Sequence, residues 1–529
     1  KETLVKLVGM FSIALWDKST KEVFLARDRT GEKPLYYGIN KKLLLFGSEL
    51  KALRAHPKFT PKINRDALCL YLRHNYIPQP YSIYEGINKL PPGHFVKLRE
   101  NAVPEEYWSL KKNIINANLN PFADSEKEAL KRLDKLLLSS VKGQMQADVP
   151  LGAFLSGGVD SSLISALMQE QSSRPIETFT IGFNNQEFNE APFAKAVAKH
   201  LGTHHNELFV SSKSAREVIP NLPKIYDEPF SDSSQIPTFL VSEMAQKQVK
   251  VSLSGDGGDE VFGGYNRYTW GNSFLSKQVS IPKPFRTFAA KLITSIPPST
   301  WNKLLSPALH LTPQKFRYSN IGDKLHKIAT IFNCSSFEEV YRLLISHWNF
   351  PERIVIGGHE PQTLLTSKGR IPKNLSNEEQ MMFYDMMMYL PDDILVKVDR
   401  AAMSVSLETR APFLDHRVIH LSSQLPLDMK IRNGTNKWCL RQLLYKRVPK
   451  HLIERPKMGF GVPISDWLRG PLRDWAEHLL AEKRIVHSGY FQNSEIQKKW
   501  QEHLSGERNW HYYLWDILMF ESWREEVGL

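Results

Sequence analysis

The chain has 529 residues, enough for several domains with more than one sizeable core. Its hydrophobic fraction of 42% and charged fraction of 24% are typical of globular proteins, and no apolar run approaches the about 18 residues that span a bilayer. The formal net charge is +13, but the sequence has no arginine-rich run or long basic block, which argues against nucleic acid as a partner.

The three cysteines, Cys69, Cys334 and Cys439, lie far apart in the sequence and form no CxxC pair. Their spacing argues against a disulfide scaffold and against a zinc ribbon. Unpaired thiols are typical of a reducing compartment, so the cytoplasm is the predicted location.

The first 98 residues alternate short apolar runs with turn signals. Residues 11–16, 22–26 and 43–46 have the composition of short β-strands. The chain begins at Lys1 inside an apolar pattern, so we expect that a preceding segment of the natural protein is missing. Residues 99–124 show no clear periodicity and are predicted to be a linker.

An amphipathic helix is predicted at residues 126–142, with Ser125 as its N-cap and Glu128 at the capping-box position. Strand-like and helix-like patterns then alternate, which predicts a parallel, doubly wound α/β sheet. From Tyr265 onward the pattern is almost entirely helical. The candidate strands are residues 151–154, 177–181 and 249–253, and the candidate helices are residues 162–171, 191–201 and 238–248.

The loop Ser156-Gly-Gly-Val-Asp-Ser-Ser162 lies between a predicted strand and a predicted helix. Gly157 and Gly158 permit a tight turn, and N–H groups at a helix start can hold phosphate oxygens together with serine hydroxyls. A carboxylate in such an anion site indicates a divalent cation, so Asp160 is a candidate Mg²⁺ ligand. The loop lacks the Gly-Lys-Ser/Thr ending of an ordinary P-loop. It resembles the pyrophosphate loop of ATP pyrophosphatases, with an ordinary helix cap as the alternative.

A second glycine-rich loop, Ser254-Gly-Asp-Gly-Gly-Asp-Glu260, follows another predicted strand. It would lie at the carboxyl end of that strand, where open α/β sheets bind ligands. Three acidic residues among glycines are costly to place together unless a metal–phosphate complex offsets their charge. A plain acidic turn is the alternative for this loop alone, but two such loops in one sheet favour an ATP site.

Two further patches carry less information. Asp392 and Asp399 are spaced so that they can share a helix face with Arg400 beside them, either as a polar seam lining a cavity or as a surface ion-pair face. Lys437 lies one helical turn before Arg441. Beside a pyrophosphate it would stabilise the charge of the leaving group, although most helical lysines are simply solvated.

Further motifs accompany the two glycine loops. They are Gly9-Met-Phe-Ser-Ile-Ala-Leu-Trp-Asp17, Leu25-Ala-Arg-Asp-Arg-Thr-Gly-Glu-Lys-Pro-Leu-Tyr-Tyr37, Lys89-Leu-Pro-Pro-Gly93, Val398-Asp-Arg-Ala-Ala-Met403, Leu407-Glu-Thr-Arg-Ala-Pro-Phe-Leu-Asp-His416 and Lys457-Met-Gly-Phe-Gly-Val-Pro463. Over nearly the whole chain this set resembles the glutamine-hydrolysing asparagine synthetase family.

The resemblance implies an α/β fold in two main parts. Residues 1–98 would be the C-terminal part of a class II, N-terminal-nucleophile amidotransferase β-sandwich, and residues 99–124 a linker. Residues 125–529 would be a doubly wound, parallel-sheet ATP pyrophosphatase domain with a helical C-terminal part.

The resemblance also implies the reaction. Mg-ATP would adenylate the side-chain carboxylate of aspartate, and ammonia, taken from glutamine in the intact protein, would displace AMP to give asparagine and pyrophosphate. The implied cofactors are ATP and Mg²⁺. The implied partners are small molecules, with no membrane, and the resemblance allows a homodimer.

Individual residues take roles from the same resemblance. Asp160 and Asp259 would hold Mg²⁺, and Asp256 and Lys437 would be catalytic, Lys437 by stabilising phosphate charge. Some members have Glu at the position of Asp256, so its reach would be shorter in this chain. The implied ATP-binding residues are Leu155, Ser156, Gly157, Gly158, Asp160, Ser161, Ile181, Ser254 and Gly255.

Two features depart from the family pattern. The catalytic N-terminal cysteine, which would precede Gly9, is absent, and Cys69 cannot replace it because its amine lies in a peptide bond within a predicted buried helix. The chain as given is therefore expected to use free ammonia.

Gln235 stands near a position where well-studied members carry an arginine suited to a substrate carboxylate. The acceptor is then aspartate held differently, or another carboxylate such as a sugar uronic acid.

Two other functions stay open as alternatives. A tRNA-modifying or nucleotide-amidating ATP pyrophosphatase would share the first loop, but it would leave the N-terminal strands unexplained. A non-catalytic ATP-binding protein is the second alternative. The retention of Asp160, Asp259 and Lys437 argues against it, because decay would remove costly charges first.

Overall fold

The computed structural model describes residues 1–99, 102–183, 189–269, 282–310, 321–334, 336–367, 371–372, 374–455 and 461–529. These residues form two compact units. The motif predicted at residues 457–463 lies mostly outside the described residues, as does part of the helical stretch near residues 274–372. No helix in the described ranges combines the length and the apolar character that crossing a membrane requires. The first unit comprises Lys1–Asn64, Tyr76–Tyr268 and Thr366–Val462, and the second comprises Arg65–Asn75, Thr269–Leu365 and Pro463–Leu529.

Short strands near the N-terminus form two antiparallel sheets of the first unit. The strands are β1 (Ser12–Asp17), β2 (Glu22–Arg27), β3 (Tyr36–Asn40), β4 (Leu43–Gly47), β5 (Ile87–Lys89), β6 (His94–Leu98) and β7 (Glu105–Glu106). One sheet has the order β1-β2-β6-β7 and the other β4-β3-β5. Their apolar side chains share a core that includes Leu25, Tyr37 and Val96. The predicted N-terminal strands are therefore confirmed.

A parallel sheet lies at the centre of the first unit. Its strands are β8 (Leu151–Phe154), β9 (Glu177–Phe183), β10 (His204–Val210), β11 (Val251–Leu253) and β12 (Glu408–Arg410). The order is β10-β9-β8-β11-β12, and every neighbouring pair is parallel. The parallel sheet predicted from the alternating pattern is confirmed. Because β8 and β11 are neighbours, the two glycine loops leave the sheet side by side.

The almost entirely helical pattern expected after Tyr265 is confirmed in the described residues, with three short strands as exceptions. Strand β12 completes the parallel sheet, and β13 (Ile431–Arg432) pairs with β14 (Thr435–Asn436) in a small hairpin. These strands have two or three residues each and are largely polar, so they carry no alternating apolar pattern. Backbone pairing, such as that of Glu408 with Val251, places β12 in the sheet.

Helices of the first unit cover the parallel sheet and build the main core, which contains Leu163, Leu167, Leu253 and Leu440. Burial of such side chains supplies most of the stabilisation of a layered α/β fold. The helices are Leu50–Arg54, Leu110–Leu119, Glu126–Gln144, Val159–Gln171, Ala191–Leu201, Ser212–Glu217, Leu222–Tyr226, Gln235–Ala245, Gly258–Phe262, Asn377–Tyr384, Leu395–Ser404, His416–Gln424, Leu427–Lys430, Trp438–Leu444 and Lys450–Ile453, with 3₁₀ turns at Leu4–Lys6, Ile219–Asn221 and Pro412–Leu414 and a π-helical segment at Asp385–Ile394.

Two of these helices test the sequence interpretation directly. The helix Glu126–Gln144 begins as predicted, since Ser125 Oγ accepts a hydrogen bond from Glu128 N at 3.3 Å. The stretch predicted to be an irregular linker instead contains the helix Leu110–Leu119, which buries Ile114. Its Lys- and Asn-rich sequence gives little apolar periodicity, which is why it was missed. The domain boundaries proposed from the sequence stay a prediction.

The second unit is helical. The middle of its final helix, residues 514–521, is buried, and Trp515 and Trp523 are among the largest buried side chains of the described residues. Cys69 lies in a buried helix, as predicted, and burial raises the pKa of its thiol to about 12, so this thiol is not a nucleophile at neutral pH. The helices are Arg65–His74, Lys283–Ser295, Pro298–His310, Ile321–Phe332, Phe337–Leu344, Ile464–Arg469, Arg473–Leu479, Glu482–Ser488, Asn493–Leu504 and His511–Glu526, with a 3₁₀ turn at Pro351–Arg353.

His503 gives the second unit a predicted acid sensitivity. Its ring is buried, and Nδ1 accepts a hydrogen bond from Trp510 N at 3.3 Å. Burial, with the nearby Arg469 charge, lowers the pKa of His503 to about 4. The unfolded chain binds this proton near pH 6.5 and the folded chain only near pH 4, so stability is lost as pH falls through that window, by up to about 1.4 kcal/mol per pH unit.

The variant His503→Gln should therefore unfold with a shallower pH dependence than the parent protein, because glutamine keeps a hydrogen-bond acceptor but does not titrate. Denaturant unfolding of both proteins across this window measures the difference in slope. Equal slopes would show that His503 does not carry the acid sensitivity.

Candidate active site

The first glycine loop connects β8 to the helix Val159–Gln171. Ser161 Oγ accepts a hydrogen bond from Ser156 N at 3.1 Å, and the two hydroxyl oxygens lie 3.0 Å apart. Gly158 is the N-cap of the helix and supplies no side-chain cap. The N–H groups at this helix start therefore face a position suited to an anion.

The backbone conformation and the close neighbours of residue 157 require a glycine at this position. Its φ is +75°, in the left-handed region, and a Cβ built there would lie 2.8 Å from the backbone nitrogen of Ala194 and from the carbonyl carbon of Phe193. Both atoms belong to the backbone, so they cannot move aside as a side chain could. A larger residue would have to displace the loop or the neighbouring helix.

The second glycine loop packs directly against the first. Ser254 N donates to the carbonyl oxygen of Arg410 at 2.8 Å, which ties the loop to β12. A Cβ at Gly255 would lie 2.8 Å from Asp160 Cβ, and one at Gly258 would lie 2.5 Å from Asp160 Oδ1. The absence of side chains at these two glycines allows the two loops to meet around Asp160.

Lys437 joins the two loops from a distant part of the sequence. It is the N-cap of the helix Trp438–Leu444, with a φ of +55°. Its ammonium Nζ bonds to the Asp160 carboxylate and lies 2.7 Å from Asp259 Oδ1. Burial acts to lower the pKa of Lys437, but the charges of Asp160 and Asp259 outweigh it and raise the pKa above its usual range. Lys437 is therefore a cation at neutral pH.

These residues border a cavity of about 810 Å³. Every candidate site residue from the sequence lines it, namely Leu155, Ser156, Gly157, Gly158, Asp160, Ser161, Ile181, Ser254, Gly255, Asp256, Asp259 and Lys437. The structure thus brings together residues that span much of the chain, while their individual roles stay predictions. The volume is in the range of pockets that hold a nucleotide-sized ligand.

The donor set fits Mg²⁺ bound together with phosphate. Oxygens of Asp160 and Asp259 converge on one ammonium, and carboxylate oxygens are the ligands that Mg²⁺ prefers. Across the described ranges, no group of three or more His, Cys, Asp or Glu side chains could hold a metal by itself. Mg²⁺ is commonly bound by one or two carboxylates with substrate phosphates and water completing its shell. The residues present match that mode and do not match a protein-only cage.

Asp256 lines the same cavity, where the charges of Lys397, Asp160 and Asp259 all act on it. Burial raises the pKa of Asp256, while a hydrogen bond from Ser254 and the charge of Lys397 oppose the increase. A carboxyl group with a raised pKa in a cavity is suited to exchanging a proton.

The cavity is also lined by an ion pair that no sequence pattern predicted. Lys397 Nζ lies 2.6 Å from Asp232 Oδ2 and 3.8 Å from Asp393 Oδ1. Asp232 Oδ1 also accepts hydrogen bonds from Ser234 N and Ser234 Oγ at 2.9 and 2.7 Å. Burial alone would raise the pKa of Asp232, but Lys397 lowers it to about 2. Both side chains are charged at neutral pH.

The only sequence signal for this pair is indirect. Asp232 precedes a helix as turn-forming aspartates do, and Lys397 lies inside the patch around Asp392 that was already singled out. Gln235, by contrast, is fully buried at the start of its helix, while Ser233 and Ser234 line the cavity.

Asp392, Asp399 and Arg400, which were predicted to form a polar seam or a surface ion-pair face, do not line this cavity. Asp392 accepts a hydrogen bond from Gln79 N at 2.9 Å, and Asp399 pairs with Lys33 at 2.5 Å. Arg400 donates to the carbonyl oxygen of Ser48 at 2.6 Å. These charges therefore bind the N-terminal strands and loops, which a helix-face argument from spacing alone could not reveal.

Two comparisons with protein-family models match this chain. The "Asparagine synthase" model matches residues 132–525, and the "Glutamine amidotransferase domain" model matches residues 1–109. Together with the observed sheets, these matches confirm the predicted fold class: part of an amidotransferase sandwich followed by a parallel-sheet synthetase domain.

Curated relatives match the chain over nearly its whole length. It is 31% identical over 529 residues to glutamine-hydrolysing asparagine synthetase 1 of Bacillus subtilis, covering 99% of this chain and 78% of that protein. It is 34% identical over 530 residues to a Mycobacterium tuberculosis protein provisionally named a glutamine-hydrolysing asparagine synthetase, covering 99% and 77%. A Penicillium rubens protein named amidase chyE is 24% identical over 537 residues, covering 92% and 74%.

Proposed function

The chain belongs to the asparagine synthase family, and from this premise we propose that it makes asparagine from aspartate, ammonia and Mg-ATP. Its enzyme class is that of a carbon–nitrogen ligase, and ATP-dependent amidation is the chemistry of the family. The observation that carries the proposal is the convergence of Asp160, Asp259 and Lys437 between two glycine loops.

The loop after β8 is proposed to hold the pyrophosphate portion of ATP. The helix start at Gly158 directs N–H groups outward, and the Ser156 and Ser161 hydroxyls lie beside them. Mg²⁺ held by Asp160 and Asp259 would neutralise phosphate charge. The Lys437 ammonium would donate a hydrogen bond to the phosphates and stabilise the negative charge that develops on the leaving pyrophosphate.

The adenosine part is proposed to lie along the carboxyl ends of the central strands. Leu155 and Ile181 offer apolar contacts there, and Ser254 and Gly255 offer polar and close backbone contacts. The side-chain carboxylate of the acceptor would attack the α-phosphorus, pyrophosphate would leave, and ammonia would displace AMP from the acyl-adenylate. Asp256 is placed to take part in proton exchange during formation or resolution of the adenylate.

The nitrogen source follows from the N-terminal match. We propose that the ammonia comes from glutamine, as the names of the relatives state for them. We propose that ammonia supplied in solution also serves as the nitrogen source. The three cysteines lie far apart in the sequence and form no CxxC pair, which fits a reducing compartment, and we propose the cytoplasm. A homodimer stays a prediction.

A second candidate function uses the same chemistry on a different acid. A sugar uronic acid or another carboxylate could replace aspartate. Two observations favour it: Gln235 is buried and uncharged, and a relative over most of the chain is named an amidase.

The experiment that tests the proposal is AMP and pyrophosphate release with Mg-ATP and ammonium chloride, with asparagine quantified in the same samples. We expect AMP that depends on aspartate and an equal amount of asparagine, because each adenylate is resolved by one ammonia. Omitting ammonia should lower both products. AMP formation with glucuronate but not with aspartate would replace the first candidate by the second.

A further inference from the structure

The helix Lys283–Ser295 of the second unit exposes an apolar face. Phe285 and Phe288 are 68% and 69% exposed, and Leu292 is 57% exposed. Their spacing of three and four residues places them on one side of the helix. Ala290 is buried and lies two residues from both Phe288 and Leu292, which places it on the opposite side. Phe285, Phe288 and Leu292, called the outward stripe below, thus face away from the core, whereas a surface helix normally turns such side chains inward.

The sequence around this helix is depleted of negative charge. Residues 261–322 contain eight lysines and arginines and no aspartate or glutamate. The whole chain has 56 acidic residues in 529, so a stretch of this length would hold about six at the average frequency. The stretch alone therefore contributes +8 to the net charge of +13. Positive charge is concentrated in the part of the chain that also carries the outward stripe.

Two lysines lie close to the outward stripe. Lys283 and Lys291 are exposed, and both line a groove of about 440 Å³ together with Phe288. The two lysines are slightly more than two helical turns apart, with Phe288 between them in the sequence. Lysine side chains are long and flexible, so their ammonium groups can reach a layer of anions while apolar side chains go deeper.

The combination of apolar and basic side chains selects the kind of partner. A nucleic acid would account for the positive charge but not for an exposed apolar stripe. Another protein would account for the stripe, but protein interfaces are depleted of lysine. The surface of an anionic membrane accounts for both, because apolar side chains enter the boundary between headgroups and acyl chains while basic side chains attract the lipid phosphates.

We propose that the helix Lys283–Ser295 docks on the surface of an anionic lipid membrane, with the outward stripe inserted below the headgroups and with Lys283 and Lys291 against the lipid phosphates. The helix lies along the surface and does not cross the bilayer. The family resemblance implied no membrane partner, and the charge and exposure of this helix are the reasons to assign one. Docking here is independent of the proposed function, because none of these residues lines the candidate active site.

The test is co-sedimentation of the full chain with vesicles. One set of vesicles contains phosphatidylcholine alone, and the other contains equal parts of phosphatidylcholine and phosphatidylglycerol. We expect binding to the anionic vesicles to be stronger by on the order of 10-fold or more at low ionic strength, since each basic residue near an anionic surface contributes about fivefold. Added salt should weaken this binding.

Two double variants separate the apolar contribution from the charged one. Phe285→Ser with Phe288→Ser should weaken binding to anionic vesicles by on the order of 10- to 100-fold, because the apolar area that enters the membrane is lost. Lys283→Gln with Lys291→Gln should weaken it by roughly 25-fold, about fivefold for each charge. Because the changed residues are exposed and lie outside the candidate active site, AMP release should equal that of the parent protein.

Matched control variants remove the same side chains elsewhere. Phe350 is 64% exposed in another segment of the second unit and is followed closely by the acidic Glu352, so Phe350→Ser should bind vesicles as the parent protein does. Lys131 and Lys195 are exposed in the first unit and pair with glutamates at 3.7 and 3.0 Å. Lys131→Gln with Lys195→Gln removes two positive charges and should also leave vesicle binding unchanged.

Several outcomes would overturn the membrane assignment. A parent protein that does not bind anionic vesicles, or binds both kinds of vesicle equally, has no such docking site. Loss of binding in the lysine variant but not in the phenylalanine variant would show attraction by charge alone, without insertion of the stripe. Equal losses in the variants and their controls would show a nonspecific effect. A parent dimer that sedimentation velocity finds dissociated by Phe285→Ser with Phe288→Ser, without vesicle binding, would instead make the stripe a contact between two copies of this chain.

Discussion

Replacing Lys437 by methionine should lower aspartate-dependent AMP release by on the order of 10²- to 10³-fold, the effect of removing one fixed group that stabilises transition-state charge. The ammonium is buried between Asp160 and Asp259, so water cannot take its place without rearrangement. Initial rates of AMP and pyrophosphate release, at saturating Mg-ATP, measure the effect.

The control for this prediction is Lys446→Met, because Lys446 is half-exposed and lies 4.0 Å from Asp134 outside the cavity. Its rate should equal that of the parent protein. A Lys437→Met variant that folds and keeps the parent rate would contradict the proposed role of the lysine.

The same substitution should also lower stability in the absence of nucleotide, by about 3–5 kcal/mol, because it leaves two neighbouring carboxylates without their counter-charge. Added Mg²⁺ should restore part of the loss, since it supplies positive charge to the same oxygens. Melting curves with and without Mg²⁺ test this. Equal sensitivity of parent and variant to Mg²⁺ would argue against Asp160 and Asp259 as metal ligands.

Gly157→Ala should abolish measurable Mg-ATP binding and lower stability by about 1–3 kcal/mol for the left-handed backbone alone, with further loss from the overlap of its Cβ with backbone atoms of Phe193 and Ala194. The loop would have to shift, and its N–H groups would no longer face the phosphates. Isothermal titration with Mg-ATP and denaturant unfolding measure the two effects.

Gly143→Ala is the matched control for Gly157→Ala. Gly143 lies in the helix Glu126–Gln144, has no positive φ, and would place its Cβ in open space. This change should raise stability by about 0.4–1 kcal/mol and leave nucleotide binding unaffected. If both alanine variants bound Mg-ATP equally well, the loop geometry would not be what holds the phosphates.

The sequence was sufficient to predict the two glycine loops, because each loop is one continuous segment that follows a strand. Each glycine loop follows a strand and carries acidic residues, so the sequence predicted that the two loops meet at one edge of a sheet. The choice of Asp259 among the three acids of the second loop came only from the family resemblance, and its role stays a prediction. The proximity of the two loops followed because β8 and β11 belong to one parallel sheet.

The rest of the site depends on tertiary structure that no short pattern encodes. Lys437 reaches Asp160 only because its backbone adopts a left-handed conformation before a helix. Asp232 and Lys397 come from segments that look unrelated in the sequence. Strand β12 is too short and polar to show a period, yet its carbonyl at Arg410 fixes the second loop.

The ion pair between Lys437 and Asp160 also determines when the site can assemble during translation. The two residues are 277 positions apart, which a ribosome translating roughly 5–20 residues per second takes tens of seconds to cover. Once residue 260 has been made, both acidic loops have been synthesised, but their counter-charge at Lys437 has not. A nascent chain therefore gains its nucleotide site in one late step, and a chain that terminates before residue 437 is expected to have no partial ligase activity.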